Sequence, residues 1–91
     1  MKVHVSHILV TYQYEAEDLL KKIKEGVSFA ELAQRYSQCP SRERGGDLGE
    51  VDSQRLDSDF SEAALKLQAG DVSPIVRTRF GYHLIKKNSS V

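Results

Sequence analysis

Val3-His4-Val5-Ser6-His7-Ile8-Leu9-Val10 alternates apolar and polar positions and then turns wholly apolar, the pattern of a central strand covered more fully toward its end. It predicts the first strand. From Tyr14 to Glu25 the period changes: Ala16, Leu19, Leu20 and Ile23 recur at three and four spacing, and Gly26 stands where a left-handed C-cap belongs. An amphipathic helix ending at Gly26 is expected. Ser28 followed three residues later by Glu31 is a capping-box pattern, and Phe29, Leu32, Ala33 and Tyr36 make one apolar stripe. A second helix should run from about Phe29 to Ser37 and stop before Pro40.

Between Gln38 and Gly49 the pattern dissolves into Pro, Ser, Arg and Gly, a composition that builds turns, so an irregular surface loop is expected there, with room for one short helix over 40–44. Leu48 to Val51 is a short strand candidate. Asp57 or Ser58 can cap a third helix whose apolar face is Phe60, Ala63, Ala64 and Leu67, ended by Gly70. Val72 to Arg77 and Tyr82 to Lys87 are strand-like runs around Thr78-Arg79-Phe80-Gly81, which spells an antiparallel hairpin turning at Gly81. The tail Asn88-Ser89-Ser90 is expected to fray. The order is βααβαββ, an α+β layout with helices around a small sheet.

A chain of 91 residues, 40% hydrophobic and without repeat or linker, is read as a single domain spanning 1–91. Thirteen Lys and Arg balance thirteen Asp and Glu, so no summed basic field draws the chain to nucleic acid or anionic lipid. Apolar runs such as Ile8-Leu9-Val10 are far shorter than the roughly 20 residues a spanning helix needs. No basic, apolar and cleavable leader follows Met1, so the chain as given is expected in the cytoplasm, or in the periplasm or at the cell surface if it is excised from a longer exported protein.

The candidate chemistry sits on few residues. His7 and His83 lie in the two longest apolar strands, where a charged imidazole would be costly. Each ring should be neutral and hydrogen-bonded, and the other ring is the natural partner if the strands pair. Two satisfied core histidines would account for the pattern as well as a site would. His4, three residues before His7, faces the other side of the strand and reads as surface. The single cysteine, Cys39, cannot form an internal disulfide; it is either a small buried hydrophobe or a useful thiol beside Arg42 and Arg44, cations that favour a thiolate. A metal site is not expected, since His7, His83 and Cys39 lack the close paired spacing of zinc ligands.

Four segments in this order, His7-Ile8-Leu9-Val10, Ser37-Gln38-Cys39-Pro40-Ser41, Arg44-Gly45-Gly46-Asp47-Leu48-Gly49 and Phe80-Gly81-Tyr82-His83-Leu84-Ile85, resemble the parvulin (rotamase, PpiC-type) peptidyl-prolyl cis/trans isomerases over essentially the whole chain. The resemblance implies a parvulin-like, FKBP-like fold, a four-stranded antiparallel sheet surrounded by helices. It also implies a catalytic cluster of His7, Cys39, Thr78 and His83 and a proline pocket of Leu48, Leu56 and Phe60. Leu56 and Phe60 are four apart around the start of the third helix, so their side chains can meet. The chain departs from the family where many members have Met at the position of Leu56, Gly at that of Gln54 and Gln at that of Arg55.

The implied activity needs no cofactor and acts on X-Pro bonds in peptides and unfolded chains, with the protein as a monomer. Members that have Asp in place of Cys39 favour an electrostatic role for the thiol, with covalent attack as the sharper alternative. Phosphoserine-proline readers of the family carry several cations after the first strand. Here that stretch is Thr11-Tyr12-Gln13-Tyr14-Glu15, followed by Glu17 and Asp18, so unphosphorylated substrates are expected. Arg42 and Arg44 would favour an acidic or neutral residue before the proline. The rival reading is a binding module that holds extended segments without turnover; against it, every polar and apolar position of the site is filled by a suitable residue type.

Overall fold

The computed structural model describes residues 2–90, with side chains as far as residue 88. Strands β1 (Lys2–Val10), β2 (Asp47–Asp52), β3 (Val76–Thr78) and β4 (Gly81–Ser90) form one antiparallel sheet in the order β2-β1-β4-β3. Helices α1 (Gln13–Lys24) and α2 (Phe29–Tyr36) precede β2, α3 (Ser58–Lys66) follows it, and short 3-10 helices occupy Pro40–Arg44 and Ser53–Arg55. This is the expected α+β architecture, including the short helix in the 40–44 loop. No helix among the described residues is long and apolar enough to cross a membrane.

The alternation along β1 sorts its side chains to the two faces of the sheet. Ile8 and Val10 join Leu84 against Ala16 and Leu19 of α1 and Phe29, Leu32 and Ala33 of α2. Val3 and Val5 join Ile85 against Phe60 and Ala64 of α3. The site described below lies on this second face.

Local signals fix most element ends. Val27 N–H bonds to Lys22 O and Gly26 N–H to Ile23 O, a Schellman closure of α1 with Gly26 at a left-handed φ of 100°. Ser28 caps α2, its hydroxyl accepting from Glu31 N–H at 3.4 Å. α2 ends at Tyr36, which is exposed and does not join the stripe of Phe29, Leu32 and Ala33.

The structure departs from the expected elements in three further places. α3 ends at Lys66, because Leu67 turns to extended geometry, and Gly70 instead serves the following turn, its N–H donating to Lys87 O at 2.7 Å. Of the Val72 to Arg77 run only Val76 and Arg77 are strand, joined by Thr78 from the expected turn, with an isolated bridge at Val72. Pro74 has no N–H for the ladder, and the Ser73 hydroxyl accepts from Ile85 N–H at 3.0 Å, taking the place of a backbone carbonyl. The Asn88-Ser89-Ser90 tail is not frayed: it extends β4, with Ser89 opposite His4 and Ser90 opposite Val3, and Asn88 Nδ2 donates to Ser6 Oγ at 2.9 Å.

Candidate active site

In the β1–β4 register His7 stands opposite Ile85 and His83 opposite Leu9, so the two imidazoles are diagonal neighbours on one face. Their Nδ1 atoms are 3.1 Å apart in a buried hydrogen bond, with ring centroids at 5.3 Å and planes within 18°. His83 Nε2 lies 2.8 Å from Thr78 Oγ1, and that oxygen also accepts from Phe80 N–H at 3.1 Å. A polar chain therefore runs from the β3–β4 turn through His83 to His7. With the Thr78 hydroxyl donating to His83 Nε2, His83 donates from Nδ1 and His7 carries its proton on Nε2; with the opposite tautomers His7 Nε2 is a bare acceptor. In both cases the chain ends at His7 Nε2, which is buried and has no hydrogen-bond partner among the described residues.

Burial decides the charge of the pair. The His7 pKa is lowered to about 4, first by loss of hydration and then by repulsion from His83. That of His83 is also lowered by burial, against a small upward pull from Asp57. Two neutral rings stand at neutral pH. Phe60 of α3 packs edge-on to both, at 5.5 Å from His7 and 5.2 Å from His83.

Cys39 reaches this place through α2's exit. Ser37, almost wholly buried, accepts through Oγ from Leu9 N–H at 3.1 Å and from Cys39 N–H at 3.3 Å, while Gln38 N–H donates to Leu9 O at 2.8 Å. Pro40 then starts the 3-10 helix, which closes at Gly45 and Gly46, both at left-handed φ. Gly46 O accepts from His7 N–H at 2.9 Å, so the stretch expected as a surface loop is pinned to β1 at both ends, and both glycines of its turn are buried.

These elements enclose a cavity of about 270 Å³ lined by His7, Leu9, Cys39, Leu48, Leu56, Asp57, Phe60, Phe80 and His83. Leu48 comes from β2, Leu56 from the turn before α3 and Phe60 from the first turn of α3, whose N-cap Asp57 accepts from Asp59 N–H at 3.0 Å. All seven residues singled out from the sequence are thus at one place, six on the wall and Thr78 behind it, bonded to His83. Sequence reasoning missed Leu9, Asp57 and Phe80 as wall residues and Ser37 as the anchor of Cys39. Leu9 carried a signal, since it shares the parity of His7 along β1. Phe80, 59% exposed at the tip of the β3–β4 turn, carried only its place at the head of the last matched segment.

His4 lies apart on β1, partly exposed, with Nε2 at 2.9 Å from Asp47 Oδ1. Asp47 is held below the usual carboxylate range first by the Gly49 N–H that it accepts, with His4 adding to that.

The cavity wall is apolar apart from Cys39, Asp57 and the two neutral, mutually bonded imidazoles. It suits a reaction in which a group is gripped and turned. Comparison with known proteins agrees: residues 7–89 match the rotamase family, described as the PPIC-type PPIASE domain. The chain is 47% identical over 87 residues to the foldase protein PrsA of Bacillus subtilis, covering 94% of this chain and 30% of that protein. It therefore spans about a third of the length of the PrsA relatives it matches. A crystal structure of the peptidylprolyl isomerase PrsA from Bacillus anthracis superposes with a TM-score of 0.95 at 43% identity, covering 97% of this chain and 41% of that one. NmPin, the parvuline of Nitrosopumilus maritimus, superposes with a TM-score of 0.84 at 40% identity, with 94% of each chain covered. With the family's pattern matched from His7 to residue 89, and a relative of the same extent sharing the fold, the chain belongs to the PPIC-type rotamases, the parvulin family of peptidyl-prolyl cis/trans isomerases.

Proposed function

We propose that this chain is one parvulin domain that isomerises unphosphorylated X-Pro bonds in peptides and unfolded proteins, and so assists their folding. The observation that carries this reading is the cavity of about 270 Å³ that joins Leu48, Leu56 and Phe60 to the His7–His83 pair and Cys39. It is large enough for a pyrrolidine ring.

Rotation about an X-Pro bond loses amide conjugation midway, a barrier of roughly 20 kcal/mol that leaves the free reaction at tens to hundreds of seconds. In the twisted amide the carbonyl is less dipolar and the prolyl nitrogen is a better acceptor. An apolar grip that excludes water therefore stabilises the twisted state relative to either planar one. Leu48, Leu56 and Phe60 supply the grip. His7 and His83, oriented by Thr78, set a fixed polar environment that needs no reorganisation as the carbonyl turns. Cys39 acts there as a polar group beside the carbonyl. The turn after β1 offers no cation to phosphate: Tyr12 and Tyr14 are exposed, and Glu15 accepts from Tyr12 N–H at 3.0 Å.

The test is a protease-coupled isomerisation assay on matched peptides with serine, glutamate or phosphoserine before the proline. Comparable kcat/KM for all three is expected. A large gain with phosphoserine over glutamate contradicts the substrate assignment.

A further inference from the structure

Three of the chain's four tyrosines cluster at the far end of β1, on the opposite face of the sheet from the site. Tyr12, Tyr14 and Tyr36 are 56%, 68% and 47% exposed, an unusual outlay of aromatic surface for a small domain. Tyr12 and Tyr14 stack at 5.5 Å. Tyr14 and Tyr36 line a second cavity of about 410 Å³ together with Glu15, Asp18, Val10 and Leu19. The protein already places one of its own cations among these groups: the Lys22 ammonium lies 5.7 Å from the Tyr36 ring centre and 2.6 Å from Asp18 Oδ2. Tyr14 and Glu15 add the same pair of groups, an aromatic ring and a carboxylate, to the wall.

We propose that this cleft is a docking site for a lysine- or arginine-bearing segment of the substrate, flanking the proline held in the first cavity. A side chain that presents an aliphatic stem to tyrosine rings and an ammonium or guanidinium to carboxylates matches both halves of the wall. The two cavities are linked at the end of β1. Leu9 lines the first and Val10 the second, and Gln38, next to Cys39, donates to Thr11 Oγ1 at 2.6 Å, next to Tyr12. An extended chain covers about 3.3 Å per residue, so the five residues on either side of a central Ala-Pro span roughly 17 Å, the reach from the Leu9 side of the strand end to the Val10 side. The inference rests on the isomerase reading for the first cavity and extends it to the choice of client: unfolded segments with basic residues near their prolines.

The test uses dodecapeptides with one central Ala-Pro bond flanked by lysines or by glutamates, on either side of the proline, titrated into the protein while tyrosine ring resonances and proline exchange are followed together. About fivefold tighter binding of the lysine peptides, with Tyr14 and Tyr36 resonances shifting, is expected. Tyr14→Ala with Asp18→Asn should erase that preference, as should 0.5 M salt, whereas Tyr14→Phe should keep it. Equal binding of lysine and glutamate peptides overturns the inference, and so do tyrosine shifts that follow protein concentration alone, which would mark a self-association face. The exchange rate is read from the same samples. Absent exchange counts against the isomerase reading, while the binding preference judges the docking site separately.

Discussion

His83 and His7 each satisfy the other's Nδ1, so truncating either one strands a buried ring nitrogen on its neighbour. His83→Ala is expected to cost about 1 to 3 kcal/mol in urea denaturation and to lower turnover as well. The pH dependence has a definite sign. The folded His7 pKa of about 4 lies below the unfolded value near 6.5, so between those values the unfolded chain binds more protons than the folded one. Stability from this ring is therefore present in full above about pH 6.5 and is lost progressively down to about pH 4, on the order of 3 kcal/mol in all. Denaturation midpoints across that window, together with ring nitrogen shifts, check it; rings that titrate independently at the ordinary imidazole value near 6.5 contradict it. For Cys39 an electrostatic role predicts that Cys39→Asp retains substantial kcat/KM while Cys39→Ala loses more. A folded but inactive Cys39→Asp variant would favour covalent attack instead.

The glycine turn before β2 is what holds the cysteine loop against the first strand. Gly46 has a left-handed φ of 84°, and a Cβ there would collide with the His7 carbonyl oxygen, while Gly49, at φ 72°, would meet nothing within 4 Å. Gly46→Ala should thus cost about 1 to 3 kcal/mol more than Gly49→Ala and lower activity through displacement of His7, with the two alanine variants compared by denaturation and turnover. The sequence made the local parts of this architecture legible. The strict period of β1, the Gly26 stop of α1, the Ser28 cap of α2 and the Thr78 to Gly81 turn are each written in a few adjacent residues. What it hid depends on distant partners. Ser89 and Ser90 read as a frayed tail because nothing in them reveals that Val3 and His4 pair with them. The break of the third strand at Ser73 and Pro74 needed the knowledge that the Ser73 hydroxyl would serve Ile85. The candidate site was legible residue by residue only through the family resemblance; Leu9 and Phe80 stand within the matched segments and Asp57 was an N-cap candidate, but their places on the wall come from tertiary contact.

At the scale of the molecule, the sheet holds two histidines in its buried centre without charge, which leaves an open apolar cavity with a fixed polar backing. Under the proposed function this cavity turns the amide and does not merely hold it. Exchange spectroscopy on an unphosphorylated Ala-Pro peptide, at a protein concentration far below the peptide's, tests that most directly. Acceleration of cis/trans exchange well above the free rate is predicted, with shifts centred on Leu48, Leu56, Phe60 and His83, and with the acceleration strongly reduced in Phe60→Ala at temperatures where that variant is folded. Saturable binding at those same residues with the exchange rate unchanged would contradict the account and make the domain a holder of proline segments.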